Sequence, residues 1–399
     1  MHRKNLPRLK ATPFLVSAWL FGCGTSASDD TNGLPADESA SYDATKLAEF
    51  RRALPQDERL TAGVPAPDAD PSALTQRGNA ELARLAAESA IKVNVPARLV
   101  VATLRAIVKT PPTLYDSKKD EFVWGPWDND DGVGQALVYI RKNPKGDDFE
   151  YGYALVRLVD SDLATLTPVI WGGATPDTGV GVTLWDFEAN AEFDATYDPG
   201  YDPEARRDAG RFAMVYGHGE QANGNFAFNV AVFRDFTSKD AEPDTEPADL
   251  DYFYGHFAGD DGNVIDFVDW DLTANLCNAD AASCFEQPDP GASEALRLRA
   301  AFLNRGQGRA EAAISQGDLS GTVTAVECWD ETIDRTAVVV SSDDVLLLED
   351  GACTGGFEQS LTELGVPSLA DVDPEVLAAL DCVASNGVAS NGLAACEKQ

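Results

Sequence analysis

Residues 224–236, GNFAFNVAVFRDF, alternate without interruption: Phe226, Phe228, Val230 and Val232 fall on one face, Asn225, Ala227, Asn229 and Ala231 on the other. A period of two with large apolar residues on one side describes a half-buried β-strand. Segments of the same character lie before and after it, at 121–127, 135–142, 149–159, 166–171, 180–193, 211–216, 252–258 and 264–272. Turn-forming residues separate them, among them Asn143-Pro144-Lys145-Gly146 and the GDDGN run at 259–263. Strands at short, regular spacing with turns between them predict an antiparallel meander. The expected fold class is therefore mainly β (α+β): a large antiparallel sheet, barrel-like or strongly curved, with N-terminal helices packed on it.

Those helices are expected at 44–54, 74–92 and 97–109. Asn94 and Pro96 read as the cap and early proline of the third. Residues 97–109, ARLVVATLRAIVK, are apolar over most of the circumference, which predicts burial against the sheet. Thr110-Pro111-Pro112 ends the helix. The apolar faces of strand and helix predict one shared interior, with Phe226, Phe228, Val230 and Val232 against Val100, Leu104 and Val108. Beyond Pro290 a helix is expected at 293–304, strands at 309–315, 321–329 and 335–341, and helical pieces within 361–380. A tandem VASNG repeat occupies 383–392.

The chain carries 31 Lys plus Arg against 66 Asp plus Glu, a net charge of −35. That balance excludes a nucleic-acid partner bound through phosphate contacts. It favours solubility and basic partners. The exception is the N-terminus, where Arg3, Lys4, Arg8 and Lys10 precede a short apolar run at 14–21. A basic start followed by a run too short to span a bilayer predicts a secretory signal peptide over residues 1–22.

That segment closes on Leu20-Phe21-Gly22-Cys23, which resembles the lipobox of bacterial lipoproteins. The resemblance implies that Cys23 becomes the first residue and carries acyl chains. Gly24 rather than Asp after the cysteine implies sorting to the outer membrane. Residues 23–71, rich in Ser, Asp, Thr, Gly and Pro, then read as a flexible tether with room for one short helix. Residues 72–345 would form the helices and β domain, and 346–399 a Cys-containing C-terminal segment.

Setting Cys23 aside, six cysteines remain: Cys277, Cys284, Cys328, Cys353, Cys382 and Cys396. An even number in a secreted chain predicts disulfides, although six cysteines allow fifteen connectivities. Nearest-neighbour pairing would give Cys277–Cys284, Cys328–Cys353 and Cys382–Cys396. Zinc is disfavoured, because no C-x-x-C pair occurs and only two histidines follow the signal segment.

Those histidines, His218 and His256, lack the G-x-S-x-G partner of a hydrolase triad. Asp128, Asp130 and Asp131 form part of a calcium-loop pattern, whose simpler reading is an acidic turn. Trp124, Trp127, Trp171, Trp185 and Trp270, with Tyr151, Tyr153, Tyr252 and Tyr254, could line a cavity or pack the core.

Two short patterns, Thr110-Pro111-Pro112 followed by Trp124-Gly125-Pro126-Trp127 and Glu327-Cys328-Trp329-Asp330, resemble a group of uncharacterised bacterial envelope lipoproteins over roughly residues 90–345. The expected function is a non-catalytic binding or structural module of the envelope, possible holder of an apolar ligand and attached to the membrane by its lipid. A carboxylate-dependent hydrolase of envelope polymers is the alternative.

Overall fold

The computed structural model describes residues 44–52, 54, 79–129, 132–145, 149–175, 179–203, 205, 207–221, 224–237, 247–259, 264–274, 292–303, 306–317, 319–387 and 396. Side chains at 91, 92, 95–102, 220 and 221 lie outside the description. Fifteen strands form one open antiparallel sheet in strict chain order. They are β1 Leu114–Asp116, β2 Glu121–Asp128, β3 Gln135–Lys142, β4 Tyr151–Val159, β5 Asp162–Thr175, β6 Val180–Asp186, β7 Ala209–Gln221 and β8 Gly224–Thr237. The series continues with β9 Ala248–Gly259, β10 Val264–Ala274, β11 Glu294–Leu303, β12 Gly308–Gln316, β13 Val323–Trp329, β14 Arg335–Ser342 and β15 Val345–Gly351. The helices are α1 Ala44–Arg51, α2 Glu81–Lys109, α3 Phe187–Tyr197 and α4 Pro374–Asn386, with a 3-10 turn at Leu369–Asp371.

The meander places β8 centrally, between β7 and β9, as its alternation predicts. Phe228 pairs with Gly217 on one side and Gly255 on the other. Because side chains alternate across a strand, each face of the sheet needs its own cover. The two covers come from opposite ends of the chain.

The first face carries Phe212, Met214, Tyr216, Ala231, Phe233, Tyr252, Tyr254, Val268 and Trp270 at its centre. Phe122, Trp124, Val138, Ile140, Tyr151 and Tyr153 continue it toward β2–β5. Helix α2 lies on this face and touches β11, β12 and β13 near one end and β3 near the other. Its 29 residues span about 43 Å at 1.5 Å per residue. Nine strand steps from β3 to β12 cover about the same distance at ~4.8 Å each. The sequence reading placed two helices here, split at Pro96. The structure shows one, because apolar contact on both sides of the proline offsets the lost ladder bond. Ala83, Ala86, Ala90 and Val93 are buried before Pro96, Leu104 and Val108 after it.

The second face carries Phe226, Val230, Val232, Phe253, Phe267, Ala301 and Cys328, with Phe228 half-buried beside them. Residues 353–387 cover it through Phe357, Leu361, Val366, Leu369, Leu380 and Val383. The shared interior expected of Phe226, Phe228, Val230 and Val232 with Leu104 and Val108 is therefore incorrect: the two sets lie on opposite faces. The strand's alternation showed which residues share a face, while the partner of that face sits more than a hundred residues further along the chain. Val100 lies outside the described side chains.

Two more elements differ from expectation. Residues 293–304 are not a helix but strand β11, whose Glu294, Leu296, Leu298, Ala300 and Phe302 are buried on the α2 face. Leu, Ala and Arg favour helices in isolation, but pairing on both edges overrides propensity here. The expected strand 180–193 stops at Asp186, whose side chain accepts from Ala189 N at 2.8 Å and so caps α3. Strands β1 and β15 had no counterpart in the sequence reading.

Candidate functional site

Three clusters of ionisable side chains bear on function, and strand register builds each of them. The first begins at the loop between β9 and β10. Ala258 pairs with Val264, so the register carries His256 opposite Asp266 and Tyr254 opposite Val268. Asp266 Oδ1 accepts from Tyr254 Oη at 2.7 Å and lies 2.7 Å from His256 Nδ1. Asp266 and Tyr254 are buried, and His256 is half-buried with a side chain 37% exposed. The hydrogen bond to Asp266 raises the His256 pKa above its ordinary 6.5, against a smaller lowering by burial. His256 Nε2 has no partner among the described residues. His218 shares the row, since it pairs with Ala227 and Ala227 pairs with His256. The arrangement can hold and release a proton. Tyr252, one row further on, is fully buried, and burial together with the Asp266 charge pushes its phenol well above the usual range.

The second cluster lies on the other face. Asp251 on β9 stands directly opposite Asp271 on β10. Arg234 bonds Asp251 at 2.8 Å, and Arg297 lies 3.5 Å from Asp271. Burial, then the neighbouring Asp269 and Asp251 charges, raise the Asp271 pKa; Arg297 opposes them. Asp269 itself is fully buried and receives Arg297 Nη2 at 2.9 Å and Leu369 N at 2.8 Å. Arg299 reaches Thr362 and the Val366 carbonyl, and Glu311 accepts from Leu361 N at 2.8 Å. Arg234 also bonds Asp381 of α4 at 2.7 Å. These charges fasten residues 353–387 to the sheet.

The third cluster is a carboxylate at a helix end. Glu327 on β13 is 2% exposed and accepts from Glu81 N at 3.1 Å and Leu82 N at 2.6 Å. It supplies acceptors to the N-terminal N–H groups of α2, which have no partner within the helix. Burial raises its pKa, while those backbone donors oppose the rise.

Of the residues singled out from sequence, Cys328 and Cys353 are bonded, as are Cys382 and Cys396. Both pairs follow nearest-neighbour order. Cys23, Cys277, Cys284, Asp130 and Asp131 lie outside the described residues. Asp128 ends β2, where Gln135 Nε2 donates to it at 3.3 Å and Asn129 N bonds the Gly134 carbonyl at 3.0 Å. That is the geometry of a hairpin turn. Among the described residues there is no group of three or more His, Cys, Asp or Glu placed to hold a metal ion, and no helix long and apolar enough to cross a membrane.

Trp124, Trp171, Trp270, Tyr151, Tyr153, Tyr252 and Tyr254 are buried, so these aromatics pack the core. Tyr153 shows why a glycine stands beside one of them. Its ring crosses Gly172 on the next strand to reach the Val182 carbonyl at 3.2 Å, and a Cβ at 172 would collide with it. The cavity beneath α4, lined by Phe149, Trp171, Leu184, Val376 and Leu380, is about 40 Å³ and almost wholly apolar. A single water needs about 10–15 Å³ of such space and a benzene-sized ligand about 150 Å³, so the cavity has room for a few water-sized groups only.

The sequence reading gave Asp266 no role and named Glu327 only within a short motif. Folding the GDDGN loop symmetrically about Asp261 pairs 256 with 266, so the His–Asp contact was recoverable. The Glu327 contact was not, because it joins residues 246 apart. Comparison with protein-family models, curated proteins and solved structures finds no match to this chain.

Proposed function

We propose that the chain is an outer-membrane lipoprotein, anchored through Cys23, whose β domain is a non-catalytic binding or structural module of the cell envelope. One observation carries the non-catalytic part: three of the buried carboxylates, Glu327, Asp269 and Asp186, serve as fasteners. Glu327 holds the start of α2, Asp269 holds Leu369 of the C-terminal cover, and Asp186 holds the start of α3. A carboxylate already saturated by backbone donors and arginines is a poor proton donor to a substrate. The two disulfides suit a chain exported to an oxidising compartment. The lipobox resemblance supports the anchor.

The test of the anchor is fractionation of cells expressing the native chain and Cys23→Ser, with intact mass of the mature protein. The native chain is expected in the outer-membrane fraction with an acylated N-terminus, and Cys23→Ser in the soluble fraction. An unmodified N-terminus on the native protein would overturn the reading.

A specific feature favours a second reading, the hydrolase. Asp251 and Asp271 face each other across two strands, and Asp271 has a raised pKa. Directly opposed positions on paired strands stand about 5 Å apart at Cβ, comparable to the carboxyl spacing of retaining glycosidases. Each carboxylate, however, has its own arginine. Release of reducing sugar from envelope polymers by the native protein, lost in Asp271→Asn, would establish the enzyme; no release by either protein supports the non-catalytic module.

A further inference from the structure

Strand β15 ends the sheet, and its hydrogen bonds to another strand go to β14 alone. Val345, Leu346, Leu347 and Leu348 follow one another along it at 63%, 54%, 61% and 49% exposure. Among the described residues neither cover reaches this strand, and apolar side chains on both of its faces are exposed. The register slips between Val340 and Ser341, and Leu347 has no cross-strand partner. The opposite edge, β1, is only three residues long and half-buried. Soluble proteins usually blunt an exposed edge by shortening, charging or covering it, because its free N–H and C=O groups template another strand. Here charge is placed only at the ends. Exposed Asp343 and Asp344 precede the apolar run, and exposed Glu349 and Asp350 follow it.

This charge pattern selects among occupants. In an antiparallel pairing of two copies centred between Leu346 and Leu347, the turn residues Asp343 and Asp344 of one copy would come beside Glu349 and Asp350 of the other, twice over. Like charges brought together at both ends destabilise such a pairing. An anionic lipid surface would meet the same four acids. From residue 310 onward the only basic residues are Arg335 and Lys398, so the surroundings supply little relief. A strand with an apolar centre and basic ends turns each repulsion into an attraction while pairing the free backbone edge.

We propose that β15 is a docking edge for an extended segment of a partner protein, apolar at its centre and carrying Lys or Arg at both ends, which adds to the sheet as a further strand. This names the partner chemistry of the binding role proposed above and rests on that reading. Cys23→Ser fractionation tests the anchor separately, so failure of one is distinguishable from failure of the other.

The experiment titrates the mature full-length protein with the labelled peptide Lys-Arg-Val-Thr-Val-Thr-Arg-Lys, and with the same peptide carrying Glu at its four basic positions. The basic peptide is expected to bind saturably, more weakly as salt screens the flanking charges, and to protect amides of 345–348 from exchange. The double variant Leu346→Asp/Leu348→Asp changes only exposed positions and is expected to weaken binding by at least about tenfold, which corresponds to ~1.4 kcal/mol. The charge-reversed variant Asp344→Lys/Glu349→Lys/Asp350→Lys, which keeps the bond from Thr322 N to Asp343, is expected to prefer the acidic peptide. Four results would each overturn the proposal. They are no binding of the basic peptide, equal binding to Leu346→Asp/Leu348→Asp, a concentration-dependent dimer abolished by that variant, and binding to phosphatidylglycerol vesicles abolished by it.

Discussion

The two faces of this sheet are covered by different means. Helix α2 covers one with a continuous apolar surface, and its polar ties sit at its two ends: Glu327 accepts from the first turn, and Trp124 Nε1 donates to the carbonyl of Thr110, which follows the last helical residue. Residues 353–387 cover the other with a short helix, a 3-10 turn and irregular chain. That cover is held by a lattice of charges from Arg234, Asp269, Arg299 and Glu311, and by Cys328–Cys353. A long helix satisfies its own backbone and needs only apolar contact. An irregular segment leaves N–H and C=O groups that must be met by side chains from the sheet. Glu311, Arg299 and Asp269 on the second face answer that requirement at Leu361 N, the Val366 carbonyl and Leu369 N.

The largest expected effect therefore falls on the second face. Asp269→Ala leaves Arg297, Arg299 and Leu369 N without their shared acceptor and should cost about 4 kcal/mol. Urea unfolding checks it; a loss under about 1 kcal/mol would mean that the lattice is ornamental to the cover. Next comes the covalent tie. Cys328→Ala with Cys353→Ala removes a cross-link between residues 25 apart and should cost about 3.5 kcal/mol on the chain-entropy account. The accompanying signature, read by limited proteolysis, is cleavage beyond residue 353 before any cleavage within α2.

The first face should respond less to loss of its polar tie. Glu327→Ala is expected to cost about 2 kcal/mol, since charge-assisted bonds to two backbone donors are removed while the apolar contact remains. Equal losses for Glu327→Ala and Asp269→Ala in urea would erase the contrast between the faces.

The sheet lay within reach of the sequence; the contrast between its covers did not. The alternation at 224–236 marked the strand, its two faces and the meander around it, and nearest-neighbour pairing, one of fifteen connectivities left open, matches both described disulfides. What lies on each face was not legible, because α2 and residues 353–387 reach β8 from opposite ends of the chain. Helix α2 itself appeared broken, since Pro96 is a strong local signal while the packing that overrides it is distant. Strand β11 looked helical for the same reason. Its Leu, Ala and Arg satisfy local propensity, and the alternation Glu294, Leu296, Leu298, Ala300 gains meaning only beside β10 and β12. The His256–Asp266 contact belongs to a tight loop and was locally readable. The Glu327 cap and the Asp269 lattice join distant segments and were not.

The smallest effect concerns pH on the α2 face. The His256 pKa is raised in the folded protein, mainly by its hydrogen bond to Asp266, so the native state holds this proton more tightly than the unfolded chain. The resulting stability is fully present below about pH 6.5 and fades as pH rises through the higher folded value. Half exposure screens the pair, so the contribution should stay under about 1 kcal/mol. Thermal melts of the native protein and His256→Asn across pH 5.5–8.5 check it. The native protein should lose more stability over that range than the variant, and parallel curves would remove the pair from the account.

The difference between the covers is tested most directly by native-state hydrogen exchange of the full-length protein, with and without a reductant that opens Cys328–Cys353 and Cys382–Cys396. Amides of α4 and of the 3-10 turn at Leu369–Asp371 should lose protection on reduction. Those of α2, together with the β4–β10 strands beneath both covers, should keep theirs. Simultaneous loss of protection in α2 and α4, or unchanged protection in α4, would contradict two independently held covers on one sheet.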